Sequence, residues 1–232
     1  MEAREPILYQ FEVSPYCVKI RKILAYKGVS CEIREADLLV RRELVRLTGQ
    51  RKVPVLLIDD LALHDSTDIA RYLEQRFPTP PIYPREKRLR ALAFLIEDWA
   101  DESLQRVVGP LKFLIPENCA RMIEISRSRY PRTLRTRLLL SLAPSVIQRQ
   151  MRRFALDPRV SRLSALLESQ IDDLSKILGE RAFLLGGTHP TIADFAVFGV
   201  LAPFEGLQGY QIVAQHPQLQ AWMERMKEIG AG

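Results

Sequence analysis

ILYQFEVSPYCVKIRKILAYKGVSCEIREA, residues 7–36, decides the fold. Ile7 to Phe11 is a short apolar run of strand formers. Ser14-Pro15 then opens a helix, because serine is a favoured N-cap and proline a favoured first helical residue. Tyr16, Ile20, Ile23 and Leu24 recur at helical spacing, and Gly28 stands where a helix-ending glycine belongs. Ser30 to Ala36 alternates, with Cys31 and Ile33 to one side and Glu32 and Arg34 to the other, so it reads as a strand. Strand, helix, strand implies a parallel pair with a right-handed crossover.

The residues that follow extend this unit. Leu38 to Leu47 reads as a second helix, ended near Gly49. Val53 to Ile58 is an apolar strand with Pro54 near its start, where a proline is tolerable. Asp59-Asp60 is a turn, and Leu61 to His64 is the returning hairpin strand. Asp65-Ser66 caps a third helix with Ile69, Tyr72 and Leu73 on its inner face. The order βαβ, α, ββ, α is a thioredoxin-like α/β topology in residues 1–78.

FPTPPIYP, Phe77 to Pro84, holds four prolines in eight residues and cannot be helix. It divides the chain into residues 1–78, a linker at 79–86, and an all-helical part at 87–232. Leu89, Leu92, Ala93, Leu95, Ile96 and Trp99 form one apolar stripe. Leu163, Leu166, Leu167, Ile171, Leu174 and Ile177 form another, ended by Gly179. Ile192 to Leu201 is apolar nearly all round, which predicts a central buried helix. Trp222 to Ile229 closes the chain.

The composition is globular: 232 residues, 47% hydrophobic, 27% charged and 8% aromatic. No stretch approaches the roughly 20 apolar residues of a membrane span. MEAREP runs straight into a strand pattern without a basic segment and apolar run, so the expectation is no secretory signal and a cytoplasmic protein. The sparse cysteines Cys17, Cys31 and Cys119 argue against a disulfide framework. They form no metal-site spacing with His64, His189 and His216, so no metal is expected.

Ser14-Pro15-Tyr16-Cys17 sits where a helix N-terminus favours negative charge and a hydroxyl can stabilise a thiolate. The plainer reading is that Ser14 only caps the helix. Context favours more. SPYCVKIRKILAYKGV, TGQRKVPVLLIDD and DSTDIARYLE resemble the N-terminal half of glutathione transferases, most closely the serine-type tau and omega-like members. They are also similar to glutaredoxins. AFLLGGTHPTIADFAVFG and HPQLQAWMERM resemble the family's C-terminal helical segments.

The resemblance implies a glutathione transferase architecture, glutathione as cosubstrate and a homodimer. It implies that Ser14 is catalytic and holds the glutathione sulfur as thiolate. Val53 would pair its backbone with the peptide part of glutathione, with Pro54 as a cis-proline. Asp65 and Ser66 would bind the γ-glutamyl end, and Gln50 and Lys52 would face the glycyl carboxylate, unless Lys52 is a solvated lysine. Tyr16 and Cys17 complete the binding set. Thr191 to Asp194 reads as a capping box that supports folding.

Two departures matter. A glutaredoxin has cysteine where Ser14 stands, so a two-cysteine cycle is not available. Cys17, one turn in, is either a reactive thiol or a packed one. The region from Lys112 to Arg159 does not fit the family pattern. It reads as an arginine-rich insertion near residues 112–160, and Arg121 to Arg162 holds eleven arginines against Glu124 and Asp157. Those arginines suit an acidic partner, an anionic membrane surface or an anionic substrate, or else a solvated face. Nothing points to nucleic acid. Trp99, Arg106, Phe113 and Tyr130 are candidates for the wall around a small electrophilic substrate. The expected function is conjugation of the glutathione thiolate to an apolar electrophile. The alternatives are a non-catalytic binding protein using the basic insertion, or a glutathione-dependent thiol reductase.

Overall fold

The computed structural model describes residues 5–36, 40–129 and 159–230. The N-terminal half contains β1 (Ile7–Gln10), α1 (Pro15–Tyr26), β2 (Glu32–Glu35), α2 (Val40–Thr48), β3 (Val55–Ile58), β4 (Leu61–His64) and α3 (Ser66–Arg76). The strands form one sheet in the order β2-β1-β3-β4. β1 runs parallel to β2 and antiparallel to β3, and β3 and β4 form the hairpin. This is the mixed thioredoxin-like sheet that the sequence implied.

Alternation along β1 splits the core between the two faces of the sheet. Leu8 joins α1, α3 and the helical half in one large cluster. Tyr9 joins Leu44 of α2 and Val55 in a smaller one. At the sheet edge Ile33 of β2 is 45% exposed, because β2 pairs only with β1 among the described strands.

The helical half contains α4 (Lys87–Asp98), a π-helical stretch (Trp99–Leu104), α5 (Gln105–Leu114), α6 (Pro116–Arg129), α7 (Arg159–Leu178), α8 (Ile192–Leu201), a 3-10 turn (Ala202–Phe204), α9 (Gln211–Ala214) and α10 (Pro217–Glu228). All ten residues of α8 are buried, as expected of a central helix. The stripe on α7 is rotated from the one read in sequence. Leu167, Ile171, Leu174 and Leu178 are buried, whereas Leu166 and Ile177 face solvent. The α4 stripe also divides. Ala93 is buried, but Leu92 and Leu95 are exposed, Leu95 by 66%.

The proline-rich connection is fastened rather than free. The side chain of Lys27, at the end of α1, is fully buried and gives its three hydrogens to Glu74 Oε2 at 2.7 Å, the Phe77 carbonyl at 2.7 Å and the Pro80 carbonyl at 2.9 Å. The Ile82 carbonyl accepts from the Ile192 amide at 2.8 Å, tying the connection to the start of α8.

α1 lies along α8, and its first turn meets Gly199. A Cβ at Gly199 would stand 2.6 Å from the Pro15 carbonyl oxygen and 3.2 Å from Lys19 Cβ. Helix propensity alone predicts that Gly199→Ala gains up to about 1 kcal/mol. Here the clash with backbone reverses the sign. The expected result is a net loss of about 1–3 kcal/mol, the usual cost of overpacking, seen as a lower melting temperature. A higher melting temperature in the variant would contradict the close approach.

Candidate active-site cleft

A cleft of about 1130 Å³ opens between the two halves, and three parts of the N-terminal half meet in it. These are the first turn of α1, the loop before β3, and the end of β4 with the start of α3.

Ser14 is the N-cap of α1, with extended backbone at φ −75° and ψ 125°. Its side chain makes no cap hydrogen bond to the helix, so it leaves the first-turn N–H groups uncapped. Tyr16 lines the cleft and donates from its hydroxyl to the Asp101 carbonyl at 3.1 Å. Burial raises the Tyr16 phenol above its ordinary pKa, and the nearby Asp101 and Glu102 carboxylates add to this.

Cys17 is fully buried and does not line the cleft, so its place in the binding set is corrected here. Its sulfur accepts from the Phe11 amide at 3.5 Å. Burial pushes the thiol up to about 11, against hydrogen bonds with the Ser14 side chain and the Phe11 amide. A thiol held that high is protonated and inert near neutrality. Of the two readings of Cys17, the structure supports the packed one.

The pairing of β3 with β1 and β4 stops at Val55, so the backbone of Val53 lies beyond the ladder, at the cleft. The Val53-Pro54 peptide is cis, as the resemblance implied, and so is Thr79-Pro80, which it did not. Thr48, Gly49, Gln50 and Lys52 line the same side.

Asp65 is the N-cap of α3, at φ 72° and ψ 123°. That conformation costs an L-residue on the order of 1–3 kcal/mol and persists only where other contacts hold it. Asp65 Oδ1 accepts from the amides of Thr67 at 2.9 Å and Asp68 at 3.4 Å. Ser66, buried at the first helical position, presents the helix N-terminus to the cleft.

The opposite wall comes from α4 and the π-helical stretch: Ala91, Phe94 and Leu95, with Asp98, Asp101 and Glu102. The candidates Trp99, Arg106 and Phe113 do not line it. Trp99 packs on the core, Arg106 is exposed and paired with Glu102 at 2.5 Å, and Phe113 is 39% exposed on α5. Tyr130 lies outside the described residues, as does most of the arginine-rich run. At the ends of that run, Arg121 is exposed and paired with Glu124, and Arg162 is exposed. Among the described residues no group of side chains suits a metal ion.

Sequence reading missed His64, Arg71, Phe94, Leu95 and the acidic residues of the wall. One signal was available: Leu95 belonged to the apolar stripe read on α4.

The capping box at Thr191 is present. The buried Asp194 carboxylate accepts at Oδ1 from the Leu184 amide at 2.8 Å and from Trp222 Nε1 at 3.0 Å. At Oδ2 it accepts from the Thr191 amide at 2.8 Å and the Thr191 hydroxyl at 3.0 Å. Burial raises its pKa, and these four donors pull it back.

The family model for the glutathione S-transferase N-terminal domain matches residues 8–81, and that for the C-terminal domain matches residues 157–225. Prostaglandin E synthase 2 of Danio rerio is 24% identical over 269 residues, covering 95% of this chain and 70% of that protein. A glutathione S-transferase from Rhodospirillum rubrum superposes with a TM-score of 0.71 at 22% identity, covering 96% of this chain and 87% of the other. A rice glutathione S-transferase solved in complex with glutathione gives 0.68 at 23%, covering 98% and 90%. The two family models together take in more than half of the sequence, in the order and at the places where the two halves of the fold lie: the chain belongs to the glutathione S-transferase family.

Proposed function

We propose that this chain is a glutathione transferase that joins the glutathione thiolate to a small electrophile held against α4. One observation supports the reading: Tyr16 in the first turn of α1, the unpaired backbone at Val53 and the start of α3 at Asp65 and Ser66 line one cleft, with Ala91, Phe94 and Leu95 on its far side. The rice structural neighbour was solved with glutathione bound.

Glutathione lies extended in this reading. Its γ-glutamyl carboxylate meets the start of α3 at Ser66, and its ammonium meets Asp65. Its peptide pairs with Val53, its glycyl carboxylate faces Gln50 and Lys52, and its sulfur reaches the start of α1. In this reading the Ser14 hydroxyl, a hydrogen-bond partner of Cys17, donates to the glutathione sulfur. The thiol gives its proton to solvent, sulfur bonds to the electrophilic carbon, and the leaving group departs with its electron pair. Phe94 and Leu95 hold the apolar body of that electrophile.

The same burial of Cys17 counts against the thiol-reductase reading, which needs it as a nucleophile.

Titrating reduced glutathione into the protein by calorimetry near pH 7 is expected to give saturable binding. Ser14→Ala is expected to keep that binding and to lower turnover roughly 10- to 100-fold. That is the loss from returning a thiol toward its free pKa near 8.5, where a few per cent is ionised. Binding that fails to saturate up to millimolar glutathione would sink the function. Unchanged turnover in Ser14→Ala would remove Ser14 from it.

A further inference from the structure

The buried face of α1 carries one charge among its apolar residues. Lys19 falls one turn after Tyr16, between Val18 and Ile20, and its side chain is 1% exposed. Its Nζ lies 2.7 Å from Glu97 Oε1 on α4 and 2.7 Å from Asp101 Oδ2 in the π-helical stretch. Glu97 and Asp101 are each held a second time as well. Glu97 Oε1 also accepts from the Thr67 hydroxyl at 3.0 Å. Asp101 is held a second time through its backbone, whose carbonyl accepts from Tyr16.

Thr67 directly follows Ser66, and its amide is one of the two that hold Asp65. Lys19 therefore stands at the junction of three parts of the cleft: the start of α1 beside Ser14, the start of α3, and the wall opposite. A purely apolar contact would tolerate sliding. Two charged hydrogen bonds from one buried ammonium fix distance and direction together. The wide π turn is what brings Asp101 round to α1, and such turns gather at functional sites.

We propose that Lys19 is a positioning residue for the reaction in the cleft. By holding Glu97 and Asp101 it sets the separation between the sulfur, the γ-glutamyl end and the wall that seats the electrophile. The role rests on the function proposed above. Lys19 touches neither substrate, and acts through the elements it joins.

The single variant Lys19→Met leaves two buried carboxylates without their counter-charge and is a poor test, because it threatens folding. The neutral variant Lys19→Met/Glu97→Gln/Asp101→Asn removes every charge of the cluster and keeps its shape. Asp101→Asn alone keeps the Lys19 pair with Glu97 and loosens only the tie to the wall. Turnover would be followed with glutathione and a chlorodinitrobenzene. Rates would be counted per glutathione site titrated by calorimetry, so loss of folded protein does not register.

The neutral variant is expected to lose about 10- to 100-fold in kcat per site, the penalty for misplacing reacting groups by about an ångström. Its KM for glutathione should change less, and Asp101→Asn should fall between it and the wild type. A neutral variant whose kcat per site stays within about twofold of wild type overturns the positioning role while leaving the function standing. A wild type that binds no glutathione overturns the function itself, so the two failures are told apart by the first titration.

Discussion

Lys112→Met is expected to stabilise the protein by roughly 4 kcal/mol at pH 7. Lys112 lies on α5, which packs against α6 and α7, and it is 2% exposed. Its Nζ has no hydrogen-bond partner among the described residues. Burial alone lowers its pKa from 10.5 to about 7. The direction of the pH dependence follows. Between about pH 7 and 10.5 the unfolded chain holds a proton on this lysine that the folded chain has released, so this group makes the fold more stable as pH rises. Below about pH 7 both states are protonated and the whole cost is paid. Methionine fills a similar volume and carries no charge to bury.

The advantage of the variant should therefore be full at and below pH 7 and shrink by about 1.4 kcal/mol per unit above it. Measuring the difference between the two proteins, not either alone, cancels the opposite trend of Cys17, whose raised thiol costs stability at alkaline pH. Denaturant midpoints at several pH values would check it. For a chain of this size each kcal/mol moves the melting temperature by about 2–4 °C. A variant less stable than wild type at pH 7 would mean that the lysine is compensated.

Asp194→Asn should act as strongly in the other direction. The carboxylate accepts from four donors, two on each oxygen. An amide supplies one acceptor oxygen. Its nitrogen must face either the Leu184 amide and Trp222 indole, or the Thr191 amide and hydroxyl. In each case at least one buried N–H loses its partner and meets another donor. Each buried donor left unsatisfied costs about 1–3 kcal/mol, so a loss of about 3–4 kcal/mol is expected. The melting temperature should drop by roughly 10 °C. Loss of less than about 1 kcal/mol would show that the network rearranges around the amide. Asp194 is not part of the cleft lining, so glutathione binding per folded molecule should persist.

The N-terminal half was legible because its signals are local. Ser14-Pro15, the proline before β3 and Asp65-Ser66 each mark an element boundary, and those boundaries are where the cleft lies. The resemblance carried by these segments named Val53, Gln50, Lys52, Asp65, Ser66 and Tyr16, and all six line it. Ser14, named with them, stands half-buried at the head of α1 and is not among the residues that line the cleft.

The opposite wall was not legible, for a physical reason. Trp99 begins a stretch with a wider turn than the α-helix, so a face projected at 3.6 residues per turn goes out of phase there. The candidates Trp99, Arg106 and Phe113 do not line the wall, which is made before and within that stretch by Phe94, Leu95, Asp98 and Asp101. Lys19 and Lys112 were missed because a lysine on an apolar face gives no sign in sequence of whether it turns to water, finds partners or stays alone.

The meeting of α1 with Gly199 also bears on how the two halves can be recombined. A fold of two named parts invites exchange, with one relative's thiol-binding half joined to another's helical half. Here the seam runs through a close contact, where a backbone oxygen of one half occupies the space a side chain of the other would need. The inheritable unit is thus the pair of facing helices, and a chimera that carries Gly199 without its matching α1 inherits a gap or a collision.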